Sequence, residues 1–421
     1  MEKSLVQPIK WIKNIRYKKE NNTEVIDKLF SKEIFTVARN FHKKINGYKT
    51  TPLKSLPHLA EMLNIGGIYV KDESQRLNLN SFKVLGGTFA IYNYLISSLK
   101  LDFEDILLAD LKSQIIKKQL GHLKFAAATD GNHGMGIAWA SKQLGFESII
   151  YVHKSTTQAR INAIKKNGAE VVIVDGTYDE AVKKIFLDSK KNGWQVISDT
   201  SWKGYEDIPK WVMQGYTTML SESQEQFAAL GIVKPTHIFI QAGVGALAAS
   251  VVGYYRQLFG AQSPKFIIVE PTKAKCLYQS AKISDGKVHS DNGDLNTMMA
   301  GLACGDPSPL AWDILRDYTD VFMISPDYVA AKAMRVYGVP LSGDPFIVSG
   351  ESGAVTLGAL IFTMALPQFE QLRSILDLNR ESKVLLINTE GNTAPNDFRK
   401  IVWEGSNPVP KEYRMTNTFN K

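Results

Sequence analysis

The sequence predicts an α/β protein whose parallel-type sheets are flanked by helices. Short runs of β-branched and apolar residues alternate with helical periodicities along most of the chain. These runs are apolar throughout rather than at every second position, which marks strands buried on both faces. The 421 residues are 44% hydrophobic and 22% charged. That composition suits a globular protein of two or three domains and excludes a disordered or fibrous chain.

Taken in order, the first twenty residues crowd Lys3, Lys10, Lys13, Arg16, Lys18 and Lys19 around Trp11 and Tyr17. They read as a solvated, partly mobile segment, without the apolar run of a signal peptide. GGIYVKDE (66–73) predicts a strand. SFKVLGGTFAIYNYLISSL (81–99) predicts a helix: Phe82, Leu85, Phe89, Tyr92 and Leu95 recur at helical spacing, with Ser81 near the N-cap. KFAAAT (124–129) is a small-residue strand, followed by the helix HGMGIAWASKQLG (133–145), which ends at glycine. The strands ESIIYVH (147–153), AEVVIVDG (169–176) and WQVISDT (194–200) alternate with helices over 157–168 and 178–193. Later strands are THIFIQ (236–241), KFIIVEP (265–271), VFMIS (321–325) and KVLLINTE (383–390). The apolar stretch 238–255 is broken by Gln241 and a glycine-rich turn, and 355–366 is too short to span a bilayer, so no membrane partner is expected. The strand–helix units between about 86 and 200 predict a small domain, 86–205, inserted in a large one formed by 1–85 and 206–421.

The formal charge of +8 raises nucleic acid, anionic membranes and acidic small molecules as partners. No nucleic-acid recognition motif follows the basic N-terminus, so nucleic acid is not expected. Cys276 and Cys304 are too few for a disulfide framework or a four-thiolate zinc site, and no metal is expected. They fit a reducing, cytoplasmic setting, with one bridge between them left open.

Chemistry concentrates at the ends of strands. In SFKVLGG (81–87), Lys83 sits in the first turn of a helix among Phe82, Val84 and Leu85. Desolvation by such neighbours lowers an ammonium pKa and makes the amine nucleophilic, as a Schiff-base lysine requires. Its alternative is a solvated first-turn lysine. In ATDGNHGMG (128–136), Thr129, Asp130, Asn132 and His133 crowd a helix start, where unpaired N–H groups suit an anion; an ordinary turn capped by Asp130 is the alternative. QAGVGALAAS (241–250) offers successive N–H groups at another helix start, a phosphate cradle that matches no nucleotide motif. NTEGNT (388–393) ends the last strand, with Thr389 placed to point from it.

These four segments, in this order over about 50–395, resemble the fold type II (tryptophan synthase β-like) pyridoxal-phosphate enzymes. KDESQRLNLNSFKVLGG, AATDGNHGMGIAWAS, DTSWKGY, MMAGLACGDPSP and SGESGAVTLGA make the chain similar to the diaminopropionate ammonia-lyase subfamily. The resemblance implies pyridoxal 5'-phosphate bound to Lys83, with Asn132 on its phenolic oxygen. It also implies Gly243, Val244, Gly245, Ala246 and Leu247 at its phosphate, and Thr389 at its pyridine nitrogen. The implied reaction is α,β-elimination of ammonia from D- and L-2,3-diaminopropionate by a homodimer, giving aminoacrylate and then pyruvate with a second ammonia. Asp130 departs from the small hydroxyl residue common in serine and threonine dehydratases, the alternative activity on this fold. A carboxylate there would repel the substrate carboxylate, so it is expected to attract the β-ammonium or to act as a base on the face opposite Lys83. A ligand-binding relative without activity is a more distant alternative. Thr129, Gly131 and His133 are expected to line the substrate carboxylate site, and Asp199 is a second candidate for the β-ammonium. Glu351 in GESG is expected near the cofactor, with no role assigned.

Overall fold

The structure is a computed structural model that describes residues 9–18, 24–101, 111, 113–129 and 131–414. Eleven strands among these residues follow in chain order. They are β1 (Lys10–Lys13), β2 (Leu53–Ser55), β3 (Gly67–Asp72), β4 (Lys124–Thr129), β5 (Glu147–His153) and β6 (Glu170–Val174). Then come β7 (Gln195–Val196), β8 (His237–Gln241), β9 (Lys265–Pro271), β10 (Val321–Ser325) and β11 (Lys383–Asn388). They form a seven-stranded sheet in the order β1-β10-β9-β8-β11-β3-β2 and a four-stranded sheet in the order β6-β5-β4-β7. The small sheet is parallel throughout; the large one is parallel in its centre with β1 and β2 antiparallel at its edges. Continuous apolar strands are the reason. Every residue of β8 and of β10 is buried, and helices cover both faces of such strands.

The N-terminal expectation is corrected over residues 10–18. Lys10–Lys13 is an edge strand zipped antiparallel onto β10, Asn14 donates to the carbonyls of Arg316 and Thr319, and Lys18 pairs with Asp317 at 2.8 Å. The alternation in KWIK is short, and the surrounding charge hid it. Lys3 and Lys19 lie outside the described residues. Two helices before the first expected strand, Glu24–Leu29 and Lys32–Lys43, went unread from sequence, as did the long helix Asp207–Ala229. The strand expected over 194–200 is only Gln195–Val196.

The helix Lys83–Leu99 packs between the helices Asn132–Leu144 and Asp207–Ala229. The approach is close: a Cβ on Gly215 would stand 2.5 Å from the Leu85 carbonyl oxygen, and one on Gly136 would stand 3.0 Å from Val84 Cα. Just upstream, a buried ionic cluster ties β3 to the helix Asp207–Ala229. Glu222 accepts from Lys71 at 2.7 Å and from Arg76 at 2.8 Å, while Arg76 also bonds Glu73 at 2.7 Å. Burial alone would raise the Glu222 pKa, but Arg76 and Lys71 outweigh it and hold the carboxyl at about 2. Breaking such a pair leaves a buried charge uncompensated, so the cluster fixes the segment that leads into Lys83.

The apolar helix Glu351–Ala365 is buried in the core behind β8 and β11. No single helix among the described residues is long and apolar enough to cross a membrane. This helix and Pro367–Leu376 pass the length and composition test only as a pair bent by 97°.

Candidate active site

Parallel sheets place ligands at the carboxyl ends of their strands. Thr129 closes β4, Gln241 closes β8, and Thr389 follows the last residue of β11. Together with the start of the helix Lys83–Leu99, these ends surround one pocket. Lys83, Thr129, Asn132, His133, Asp199, Gly243 to Leu247 and Thr389 all line it. Asp130 lies outside the described residues.

Lys83 enters the pocket from the first position of its helix. Ser81 Oγ accepts the Lys83 backbone N–H at 3.3 Å, but the N-cap position itself is Phe82. Lys83 Nζ lies 3.1 Å from Asp199 Oδ2, and Tyr178 donates its hydroxyl to Asp199 Oδ1 at 3.2 Å. Burial would raise the Asp199 pKa; the charges of Lys83 and His133 and the two hydrogen bonds outweigh it and hold the carboxyl at about 2. Asp199 is thus a carboxylate paired with the Lys83 amine and the Tyr178 hydroxyl.

The Thr129 hydroxyl accepts the N–H groups of Gly131 at 2.8 Å and Gly134 at 3.0 Å, so it closes the start of the helix Asn132–Leu144. Gly131, with φ +140°, is the N-cap there, and its N–H is engaged by Thr129. His133 bonds the Ile197 carbonyl through Nε2 at 2.8 Å, which makes Nε2 a protonated nitrogen and leaves Nδ1 buried without a hydrogen-bond partner among the described residues. Asn132 Nδ2 donates to Glu390 Oε2 at 2.6 Å.

Gly243, Val244 and Gly245 lead into the helix Ala246–Phe259, with Gly245 as N-cap at φ +102°, a conformation that favours glycine. A Cβ on Gly243 would meet Cys304 Sγ at 3.0 Å. Cys276 Sγ donates weakly to the Gly243 carbonyl at 3.7 Å. No disulfide joins Cys276 and Cys304, which both approach Gly243 of this loop. Gln241 Nε2 donates to Thr389 Oγ1 at 3.0 Å, so the Thr389 hydroxyl keeps its own proton to donate.

Gln241, Tyr178, Ser352 and Glu390 also line the pocket and were not assigned from sequence. The signal for Gln241 was available: it is the polar end of an apolar parallel strand. Tyr178 opens its helix in the other sheet layer, and its reach to Asp199 needs three dimensions. Glu351 lines an adjoining cleft of about 880 Å³ rather than the pocket. That cleft shares His153, Tyr178, Ala300 and Ala303 with the pocket, so the two adjoin.

The arrangement fits pyridoxal phosphate. The amine of Lys83 suits an aldehyde. The helix start at Gly243 to Leu247 suits a phosphate, and the Thr389 proton suits a pyridine nitrogen. Gln241 Oε1, Ser352 Oγ and His133 Nδ1 are buried there with no hydrogen-bond partner among the described residues, as expected where a polar group belongs.

Fold and site thus define a lysine-centred α/β enzyme with an anion cradle facing the lysine. The model of the family "Pyridoxal-phosphate dependent enzyme" matches residues 45–390. The diaminopropionate ammonia-lyase of Escherichia coli (strain K12) is 46% identical over 381 residues, 90% of this chain and 94% of that protein. The crystal structure of the Escherichia coli enzyme in complex with D-serine superposes with a TM-score of 0.89 at 43% identity, covering 96% of this chain and 99% of that one. Its complex with an aminoacrylate-PLP azomethine reaction intermediate gives a TM-score of 0.86 at 42% identity, with coverage of 96% and 99%. The chain belongs to the pyridoxal-phosphate-dependent enzymes of fold type II and, within them, to the diaminopropionate ammonia-lyase family.

Proposed function

We propose that this chain eliminates ammonia from both D- and L-2,3-diaminopropionate, releasing aminoacrylate that hydrolyses to pyruvate and a second ammonia. The observation that carries the reading is the contact of Lys83 Nζ with Asp199 in a pocket closed on its far side by the loop Gly243 to Leu247. When bound, the cofactor takes up the electron pair released at the α-carbon.

The chain's own groups do the rest. Gly243 to Leu247 hold the phosphate through backbone N–H groups, Asn132 donates to the phenolic oxygen, and the Thr389 hydroxyl donates to the pyridine nitrogen. A hydroxyl there does not force that nitrogen to be protonated, which favours quick elimination. Lys83 removes the α-proton from the L-substrate, and Asp130 removes it from the D-substrate on the opposite face. The C–N bond at the β-carbon then breaks with its electron pair passing to nitrogen: a β-ammonium leaves directly as ammonia, and a neutral β-amine leaves as ammonia with a proton from one of these two groups. Asp199 attracts the β-ammonium; Thr129 and His133 line the carboxylate side. Gly131 contributes there only if its N–H leaves Thr129. The resemblance supports a homodimer and a small domain over 86–205; its boundary falls inside the helix Lys83–Leu99. Two cysteines not joined in a disulfide support the reducing cytoplasm.

Asp130→Asn tests the two-base reading against a dehydratase-like single base. Turnover of D-diaminopropionate should disappear while L-turnover stays largely intact. An equal fall on both enantiomers would show that Asp130 is not a face-specific base.

A further inference from the structure

Glu390 is 1% exposed and accepts hydrogen bonds on both oxygens. Oε2 receives Asn132 Nδ2 at 2.6 Å and Thr393 Oγ1 at 3.2 Å; Oε1 receives the Ser352 N–H at 3.2 Å. Its backbone forms a bridge to Ser81, and the Phe82 N–H donates to the Thr389 carbonyl at 3.2 Å, so the segment is joined to the two residues before Lys83. The space is tight: a Cβ on Gly350 would stand 2.8 Å from Glu390 Cδ. Ser352 N–H can only donate, so Oε1 accepts it, and the bonds found on Oε2 among the described residues are likewise ones it accepts. Burial, and then the Glu390 charge, push the pKa of the neighbouring Glu351 up to about 7.

A carboxylate can only accept. It therefore fixes which way the Asn132 amide is turned, with Nδ2 toward Glu390. One N–H of that nitrogen is taken, and the other is left to the pocket that Asn132 lines. An amide turned the other way would bring a carbonyl oxygen against Glu390 and lose the bond. We infer that Glu390 is a positioning residue that locks the Asn132 amide in its donating orientation and so sets the hydrogen bond received by the cofactor's phenolic oxygen. The inference rests on the reading above that Asn132 faces that oxygen.

The test uses holoenzyme and reads the absorption spectrum of the bound cofactor at one pH, as the ratio of its long-wavelength to its short-wavelength band. A donor to the phenolic oxygen favours the long-wavelength form. Asn132→Ala should lower the ratio. Glu390→Gln should lower it in the same direction, by roughly three- to ten-fold, the size of one lost hydrogen bond. The double variant should fall no further than Asn132→Ala alone. Glu390→Asp keeps the charge but withdraws the oxygens from Asn132; it should shift the ratio the same way and serves if Glu390→Gln yields no holoenzyme. Thr393→Val, which removes a donor to Oε2 without touching Asn132, should leave the ratio unchanged. An effect of Asn132→Ala with none from Glu390→Gln or Glu390→Asp overturns the inference and leaves the Asn132 reading standing. No effect of Asn132→Ala overturns that reading, and the inference with it. Equal shifts from Thr393→Val and Glu390→Gln would show general disruption of the segment and also overturn the inference.

Discussion

Lys83 and Asp199 lie 116 positions apart in sequence and 3.1 Å apart in the fold. The carboxyl, held at about 2, has its folded pKa below the ordinary 3.8; its ionised form is present above that value and lost only as pH falls through about 2. Asp199 therefore adds no inflection to a pH–rate profile between about pH 5 and 9. On the proposal that Asp199 attracts the β-ammonium, its charge discriminates substrates, because diaminopropionate carries that group and serine does not. Asp199→Asn should lower kcat/KM for diaminopropionate by roughly 30-fold or more, the scale of a truncated buried charge pair, and lower serine turnover less. Equal losses on the two amino acids would make Asp199 a partner of Lys83 alone. Side chains at this scale were legible where a motif framed them: Lys83, Asn132, the loop Gly243 to Leu247 and Thr389 all reach the one pocket. Tyr178 and Glu390 were not legible, because their reach to Asp199 and Asn132 is made by tertiary contact.

At the scale of elements, the site depends on where one helix begins. Lys83 opens the helix Lys83–Leu99, and the helix is seated by glycine contacts on its neighbours. Gly215→Ala places a methyl against the Leu85 carbonyl oxygen at 2.5 Å, and backbone cannot give way as a side-chain tip can. The variant should lose about 1–3 kcal/mol of stability in denaturant unfolding and should bind cofactor more weakly, since the helix must shift. Unchanged unfolding and unchanged cofactor binding would show that the contact relaxes freely. The parallel strands were legible because their whole length is apolar; β5, β9 and β10 match their expected limits. The edge strand Lys10–Lys13 was not, because a four-residue edge between lysines carries too little pattern to outweigh its charge.

For the whole molecule, the opening expectation of parallel-type sheets flanked by helices holds, and the formal charge of +8 is partly accounted for by a docked N-terminal strand. Burial also shapes the pH dependence of stability. Glu351 and Glu270 are pushed up to about 7 and about 8, each by burial first, from an ordinary 4.5. A carboxyl whose folded pKa is raised binds its proton more tightly in the native state, so stability falls as pH rises through the folded value. His42 and His237, pulled down to about 3 and about 4 by burial, gain stability as the unfolded histidines lose their protons around the ordinary 6.5, so they offset part of this loss at the lower end of the window, by about 0.4 kcal/mol each. Denaturant unfolding should show a loss on the order of 2 kcal/mol from about pH 6.5 to 8, and Glu270→Gln should flatten that slope. A stability rising over that window would contradict the assignment. The central claim is the reaction itself, and product release from D- and L-diaminopropionate, beside D- and L-serine, measures it most directly. The account predicts two ammonia for each pyruvate from both enantiomers of diaminopropionate, faster than from serine, and none from Lys83→Ala. Pyruvate from serine with no turnover of diaminopropionate would contradict it.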